Sequence, residues 1–387
     1  MTNNNPLYHE RLKRFNTALK KQKPDIVPIF PIIEQWAQYQ SGISIVDSYV
    51  KDPMLNFEAY KKIYDMGVYV DISYGTGNLI PIKMFNNFGG GIYKVDENGV
   101  QIKGSHGLTM EAEEYPDFIN DAQGFIMEKI LPRKYPVLND KENAVELWYK
   151  SMQDFLDWLE FDAQTVAAIE EKCGVPVVCK GGTYLPPDVV LDFMRDFVGT
   201  STDIRRHPQD FYDACETLYP LLVSLAKITY PNPGEEGVLF FPLHLPTYLR
   251  PKDFEKFYFP FMKRMTEDVL NMGYRPMYYC ENDWEPYLEL LQDLPDGDIY
   301  MLFEGGNLKK IKDKIGHKVC IGGGMPINIL QHGSKEQCID AAKKCLDELA
   351  PGGGYVFSCD MNLINKGDSK LENLIAVCDY VHTHGRY

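Results

Sequence analysis

The sequence contains no uninterrupted run of about 20 apolar residues, so no membrane-spanning helix is expected. Its opening stretch, MTNNNPLYHERLKRFN, holds no apolar core of the kind export signals need, which sets the expectation of a cytoplasmic protein. Positive charge is in deficit: 40 Lys and Arg against 55 Asp and Glu leave a net charge of −15. Phosphate backbones are held by basic patches, so nucleic acid is not an expected partner. There is no Cys-x-x-Cys pair. The nine cysteines are odd in number and irregular in spacing, which fits reduced thiols rather than a disulfide frame. Repeats and low-complexity tracts are also absent. No Gly-x-Gly-x-x-Gly follows the first strand-like run, which counts against a dinucleotide-binding open sheet.

What is present is a rhythm. Eight short apolar runs recur at residues 25–33 (DIVPIFPII), 67–75 (GVYVDISYG), 175–181 (VPVVCKG), 237–245 (GVLFFPLHL), 275–280 (RPMYYC), 299–304 (IYMLFE), 318–323 (KVCIGG) and 354–359 (GYVFSC). Most are continuously apolar rather than alternating, the pattern of strands buried on both faces of a parallel sheet. Helical spacing fills the gaps. Residues 253–272 carry Phe254, Phe257, Phe261, Met262, Met265, Val269 and Leu270 at three- and four-residue intervals. Residues 283–294 and 308–315 read as shorter helices. Residues 335–349 read as a helix opened by Ser334 with Gln337 three positions on, a capping box. Strand and helix alternating eight times predict an α/β fold, a (β/α)₈ TIM barrel, with the open doubly wound sheet as the rival.

The barrel is expected to be a single domain over residues 1–387. About a hundred residues separate the second and third strands. Within them, residues 91–103 (GIYKVDENGVQIK) read as a hairpin around Asp-Glu-Asn-Gly, followed by HGLTMEAEEYPDF and ILPRKYPVLND. Residues 81–140 are read as a lid or collar inserted on the barrel mouth.

Barrels of this class place their chemistry at the carboxyl ends of the strands. Those ends supply Glu34, Gln35 and Trp36, then Asp71 and Tyr74, then Lys180 and Thr183. Further along come His244, Thr247 and Tyr248, then Cys280, Glu281, Asn282 and Asp283, then Glu304. The last two strands end on Met325 and on Cys359, Asp360 and Asn362. Cys280, Glu304 and Cys359 together are a zinc donor set with a fourth position open, as in catalytic rather than structural sites. Spacing alone favours reading the same two cysteines as buried strand-end filler, because free Cys is among the most buried residue types. His244 is either a further ligand or a substrate contact.

The carboxyl half resembles the uroporphyrinogen decarboxylase superfamily. The resemblance rests on PTYLRPKDFEKFYFPFMKRM, YYCENDWEPYLELL, IYMLFEGGNLKKIKDKIG, KVCIGGGMPINILQHGSKEQC and PGGGYVFSCDMN, and the opening PDIVPIF fits that family's first strand. The resemblance implies a (β/α)₈ barrel. It also implies one of two chemistries. The decarboxylases hold a polyacidic tetrapyrrole with arginines near the first strand, whereas this chain has PIIEQWAQYQSG there, without arginine. The other branch comprises zinc-dependent methyltransferases that work with corrinoid proteins. Its His-x-Cys and later Cys signature implies Cys280 and Cys359 as metal ligands, with Tyr278 standing where the family has His. Glu304 is then the third ligand and His244 the alternative, since a neutral phenol is a poor donor.

The expectation that follows is a zinc-containing methyltransferase. It moves a methyl group from a methoxylated aromatic compound to the Co(I) corrinoid (cobalamin) of a partner protein. Glu304, His244 and Tyr278 are the candidate catalytic side chains. Trp36, Tyr74, Tyr248, Met325 and Asn362 are candidates for substrate binding. The alternatives are methyl transfer between a methylcobamide and a thiol, a metal-free decarboxylase, and a barrel kept only to bind a corrinoid protein. The oligomeric state is left open, a homo-oligomer included.

Overall fold

The computed structural model describes residues 4–77, 80–90, 93–102 and 109–387. Residues 91, 92 and 103 of the expected hairpin and residues 106–108 of HGLTM lie outside the described residues. A short antiparallel hairpin, β1 (Tyr93–Asp96) and β2 (Gly99–Ile102), is present where Asp-Glu-Asn-Gly announces it. Six parallel strands then follow in sequence order: β3 (Cys179–Gly182), β4 (Val238–Leu243), β5 (Pro276–Cys280), β6 (Tyr300–Phe303), β7 (Cys320–Met325) and β8 (Tyr355–Cys359).

Two irregular segments complete the ring. Ile29 bridges Phe357 of β8 in parallel, and the Asp71 amide donates to the Ile29 carbonyl. Ser73 in turn bridges Val177, two residues before β3. The first and second strand-like runs thus sit between β8 and β3, giving the eightfold α/β barrel. They pair through single bridges rather than ladders because Pro24, Pro28 and Pro31 remove backbone donors from the first run.

Strand side chains alternate between two faces. One face forms the barrel interior, with Phe30, Ile32, Ile72, Val178, Val238, Met277, Tyr300, Leu302, Cys320 and Val356 in one cluster. The other face packs on the surrounding helices in two larger clusters. Gly322 is required on β7 because a Cβ there would lie 2.1 Å from the Tyr300 hydroxyl, which fills the interior at that level.

Helix Pro6–Leu19 closes the bottom, inserting Phe15, Ala18 and Leu19 into the interior cluster. Helix Leu308–Ile315 has the bounds that its spacing predicts, and helix Lys335–Leu349 forms with the Ser334–Gln337 capping box. Residues 253–272 divide into Pro251–Phe257 and Phe259–Asn271, since Pro260 lacks the amide needed to continue the first helix. The inserted segment is bound to the barrel: Met110, Tyr115, Phe118, Phe125 and Ile130 share a core with Leu185, Val190 and Phe211. A 25-residue helix, Ala144–Ala168, leads from it towards β3. No helix of the described residues is long and apolar enough to cross a membrane.

Beneath the barrel the Arg14 guanidinium and the Asp71 carboxylate form an ion pair in which both side chains are 1 % exposed. Asp71 also accepts from the Ile29 amide at 2.8 Å, tying the second strand segment to the first. Arg14 also pairs with Asp25 and Glu10, so removing the Asp71 carboxylate leaves the guanidinium partly paired and the Ile29 amide without its acceptor, at a cost of about 1–3 kcal/mol. Asp71→Ala is therefore expected to lower the unfolding free energy by that amount, read as a lower urea midpoint at an unchanged slope. A midpoint equal to that of the unmodified protein would show that the pair does not hold the first two strand segments.

Candidate active site at the barrel mouth

The inward register, followed past each strand end, fixes which polar side chains enter the mouth. It carries Ile32 to Glu34, Ile72 to Tyr74, Val238 and Phe240 to His244, Met277 and Tyr279 to Glu281, Leu302 to Glu304, and Val356 and Ser358 to Asp360. The loop after β3 adds Asp188 and Asp192.

His244 is the best-defined group among them. Its Nδ1 donates to Asp192 Oδ2 at 2.7 Å, and its Nε2 lies 3.4 Å from Glu281 Oε1. Asp188 fixes the turn beneath it by accepting from the backbone amides of His244 (3.0 Å) and Leu245 (2.8 Å) and from the Tyr258 hydroxyl (2.7 Å). Burial by itself lowers the His244 pKa. The Asp192 hydrogen bond and the charges of Asp192, Asp188 and Glu281 outweigh it and raise the pKa to about 9. The side chain is therefore an imidazolium at neutral pH, with both ring N–H groups as donors.

The carboxylate pKa values are raised as well, here by burial. Burial pushes Asp188 up to about 7 against the pull of His244. Burial also raises Glu281, with Glu304 and Asp192 adding to the shift, and raises Asp360, to which the Glu304 charge contributes. Glu304 accepts from the Tyr279 hydroxyl at 2.8 Å and from the Asn282 amide at 3.1 Å. Asn282 has φ +57°, a left-handed conformation that Asn tolerates better than most residues, and this turn aims its amide at Glu304. Across the mouth, Asn362 Nδ2 donates to Glu34 Oε1 at 2.8 Å, and burial brings Glu34 up to about 7. Asn362 Oδ1 and the Ser358 hydroxyl are buried without a partner among the described residues. Such atoms are costly unless a ligand or water meets them.

Aromatic rings line one side. Tyr74 stands edge-on to Phe240 at 5.1 Å, and Tyr184 edge-on to Phe193 at 5.4 Å. The Lys134 ammonium from the inserted segment lies over the Phe193 ring at 5.0 Å and pairs with no carboxylate among the described residues. Burial lowers its pKa to about 8.

The structure brings His244, Glu304, Tyr74 and Asn362 to the mouth, and leaves Tyr248 on the rim, 55 % exposed, against Phe197. Five other candidates belong elsewhere, and for four of them the pleat is the reason. Cys280 and Tyr278 occupy the outward register of β5, buried in the strand–helix layer, with the Tyr278 hydroxyl 2.7 Å from Thr266 Oγ1. Cys359 and Met325 face outward on β8 and β7, into a different cluster. Trp36 is wholly buried in that same cluster, its indole N–H donating to the Ser369 carbonyl, so it offers no face to a ligand.

The zinc ion implied by the resemblance therefore does not fit the expected donors. The two thiols lie in separate apolar clusters outside the barrel, whereas Glu304 lies within the mouth. Burial raises both thiol pKa values well above the ordinary range. Among the described residues, no three His, Cys, Asp or Glu side chains converge as a metal-binding group.

Asp188, Asp192, Tyr279 and Lys134 were not singled out by sequence spacing. Tyr279 and Glu281 carried a usable signal, since they share the register of Met277 in MYYCE. Asp188 and Asp192 lie in a helical loop with none.

A parallel eightfold barrel with its ionisable groups gathered at the carboxyl ends of the strands defines the class to which the comparisons then give a family. Residues 129–384 match the family model described as uroporphyrinogen decarboxylase (URO-D), and the chain belongs to that family. By structure it is similar to a methyltransferase from Methanosarcina mazei, with a TM-score of 0.63 over 96 % of this chain and 98 % of the other at 15 % identity. That likeness establishes the shared fold. Among curated proteins none matches the sequence.

The raised pKa of His244 gives a testable sign. In the unfolded chain the group titrates near 6.5. The proton is bound more tightly in the folded state, so its stabilising effect is complete below about pH 6.5 and is lost as pH rises through about 9. Stability of the unmodified protein relative to His244→Gln should fall across that window. A difference that instead grows with pH would show that the imidazole is neutral in the folded protein.

Proposed function

We propose that the protein is a methyltransferase that removes the methyl group of a methoxylated aromatic compound and passes it to the Co(I) corrinoid of a partner protein. The observation that carries this reading is the place of His244 at the end of β4, its Nδ1 held by Asp192 Oδ2 at 2.7 Å and its Nε2 3.4 Å from Glu281 Oε1. An aryl methyl ether reacts only if the departing oxygen is stabilised as the carbon–oxygen bond breaks. With the acceptor nucleophile attacking the methyl carbon, the C–O bonding pair passes to oxygen and the His244 Nε2 proton neutralises it, leaving a phenol. Asp192 orients the ring and sustains its charge, in the manner of positioned general acids. The half-buried aromatic wall offers rings for stacking. Lys134, over Phe193, offers a single positive charge suited to a carboxylate on the substrate.

The similarity to a methyltransferase supports the same reading. The decarboxylase alternative fits the mouth less well. None of its six carboxylates meets an arginine or lysine among the described residues, and such a surface repels a polyacid. The thiol alternative would need an activating metal at Cys280 and Cys359, which the geometry does not support.

The test combines the protein with a methoxybenzoate and a Co(I) corrinoid protein and follows the cobalt absorbance and the free phenol. Both products are expected, and His244→Gln should slow turnover by about 10²- to 10⁴-fold, the range of a lost general acid. Full activity in His244→Gln would remove the proposed role. Failure with every methoxyarene, together with carbon dioxide release from a porphyrinogen acid, would return the protein to the decarboxylases.

A further inference from the structure

Beyond the His244 cluster, Glu34, Glu304 and Asp360 enter the mouth on the inward register, and among the described residues none of the three forms an ion pair. Neutral donors alone meet them: Asn362 Nδ2 at Glu34, the Tyr279 hydroxyl and the Asn282 amide at Glu304, and the Ile327 amide at Asp360. Glu34 Oε2 accepts no hydrogen bond among the described residues. A second observation is independent of these charges. Ser358, on the inward register of β8 and 1 % exposed, has a hydroxyl without a partner, and so does the buried side-chain carbonyl of Asn362. Buried polar atoms left in this way are costly. Two rings complete the surroundings, since the Glu34 charge acts on Tyr74 and on Tyr279.

We propose that this side of the mouth is a subsite for a protonated amine on a small aromatic ligand, the ammonium donating to Glu34 and to the Asn362 side-chain carbonyl, with the Ser358 hydroxyl as a further acceptor. An ammonium has three N–H donors and no acceptor. The lining is its complement: a carboxylate oxygen and an amide oxygen that only accept, and a hydroxyl that can turn a lone pair towards a donor.

Other ligand classes fit less well. An anion is repelled by the three carboxylates. A neutral hydroxyl would meet the unpartnered oxygens and leave the buried carboxylates without a counter-charge, whereas an ammonium supplies both. A bare metal ion is a poor match, because among the described residues no three of these groups converge as metal ligands. Aromatic rings beside the carboxylates favour a cation further.

Calorimetric titration of the full chain with benzylamine, an ammonium ion at neutral pH, tests this without any methyl transfer and so stands apart from the proposed activity. Benzylamine is expected to bind in the millimolar range or tighter. Benzyl alcohol, which lacks the charge, and benzyltrimethylammonium, which keeps the charge and lacks the N–H donors, should each bind at least about 10-fold more weakly. Glu34→Gln keeps the size and removes the charge, and should weaken benzylamine by a similar factor. Ser358→Ala should weaken it about 3-fold or more while leaving the thermal midpoint of the free protein unchanged or higher, because the hydroxyl it removes has no partner. No binding of benzylamine, equal binding of either analogue, or undiminished binding by Glu34→Gln would each overturn the proposal. A Ser358→Ala protein that melts lower than the unmodified one would overturn it as well, by showing that the hydroxyl already serves the fold.

Discussion

The two-residue pleat of the barrel strands is the constraint on which the rest of the molecule depends. Once Met277, Tyr300 and Val356 are committed to the interior, every later residue of each strand has its face assigned. Glu281, Glu304 and Asp360 enter the mouth. Cys280 and Cys359, one residue away from Glu281 and Asp360, are turned into the strand–helix layer. A thiol and a carboxylate adjacent in sequence are thus separated by the wall of the barrel.

The electrostatics of the mouth follow from that sorting. Six carboxylates are gathered in one region, and a single imidazole stands among three of them, Asp188, Asp192 and Glu281. Burial alone disfavours every charge there. The outcome is that Glu34 and Asp188 are held near neutrality while His244 keeps its proton to about pH 9. All of these shifts are upward, and the group they leave charged with a proton to give is the histidine.

Much of the architecture was legible in the amino-acid sequence. All eight apolar runs became barrel strands or their bridges, the hairpin formed around Asp-Glu-Asn-Gly, and the Ser334 box capped its helix. Those features are local, set by turn chemistry and apolar spacing. The site was legible only in part. His244 and Glu304 were found because strand ends are where this fold puts its chemistry. Cys280, Cys359, Tyr278 and Met325 were misplaced because residue type was weighed above register. Asp188 and Asp192 depend on how the loop after β3 folds back over His244, a long-range contact with no mark in local spacing.

A structure with a bound methoxybenzoate tests the central claim most directly. The account predicts that the ring lies between Tyr74 and the Tyr184–Phe193 wall, with the ether oxygen within about 3 Å of His244 Nε2, hydrogen-bond distance. An ether oxygen turned away from His244, or held by a metal ion on Cys280 and Cys359 after rearrangement of β5 and β8, would contradict it.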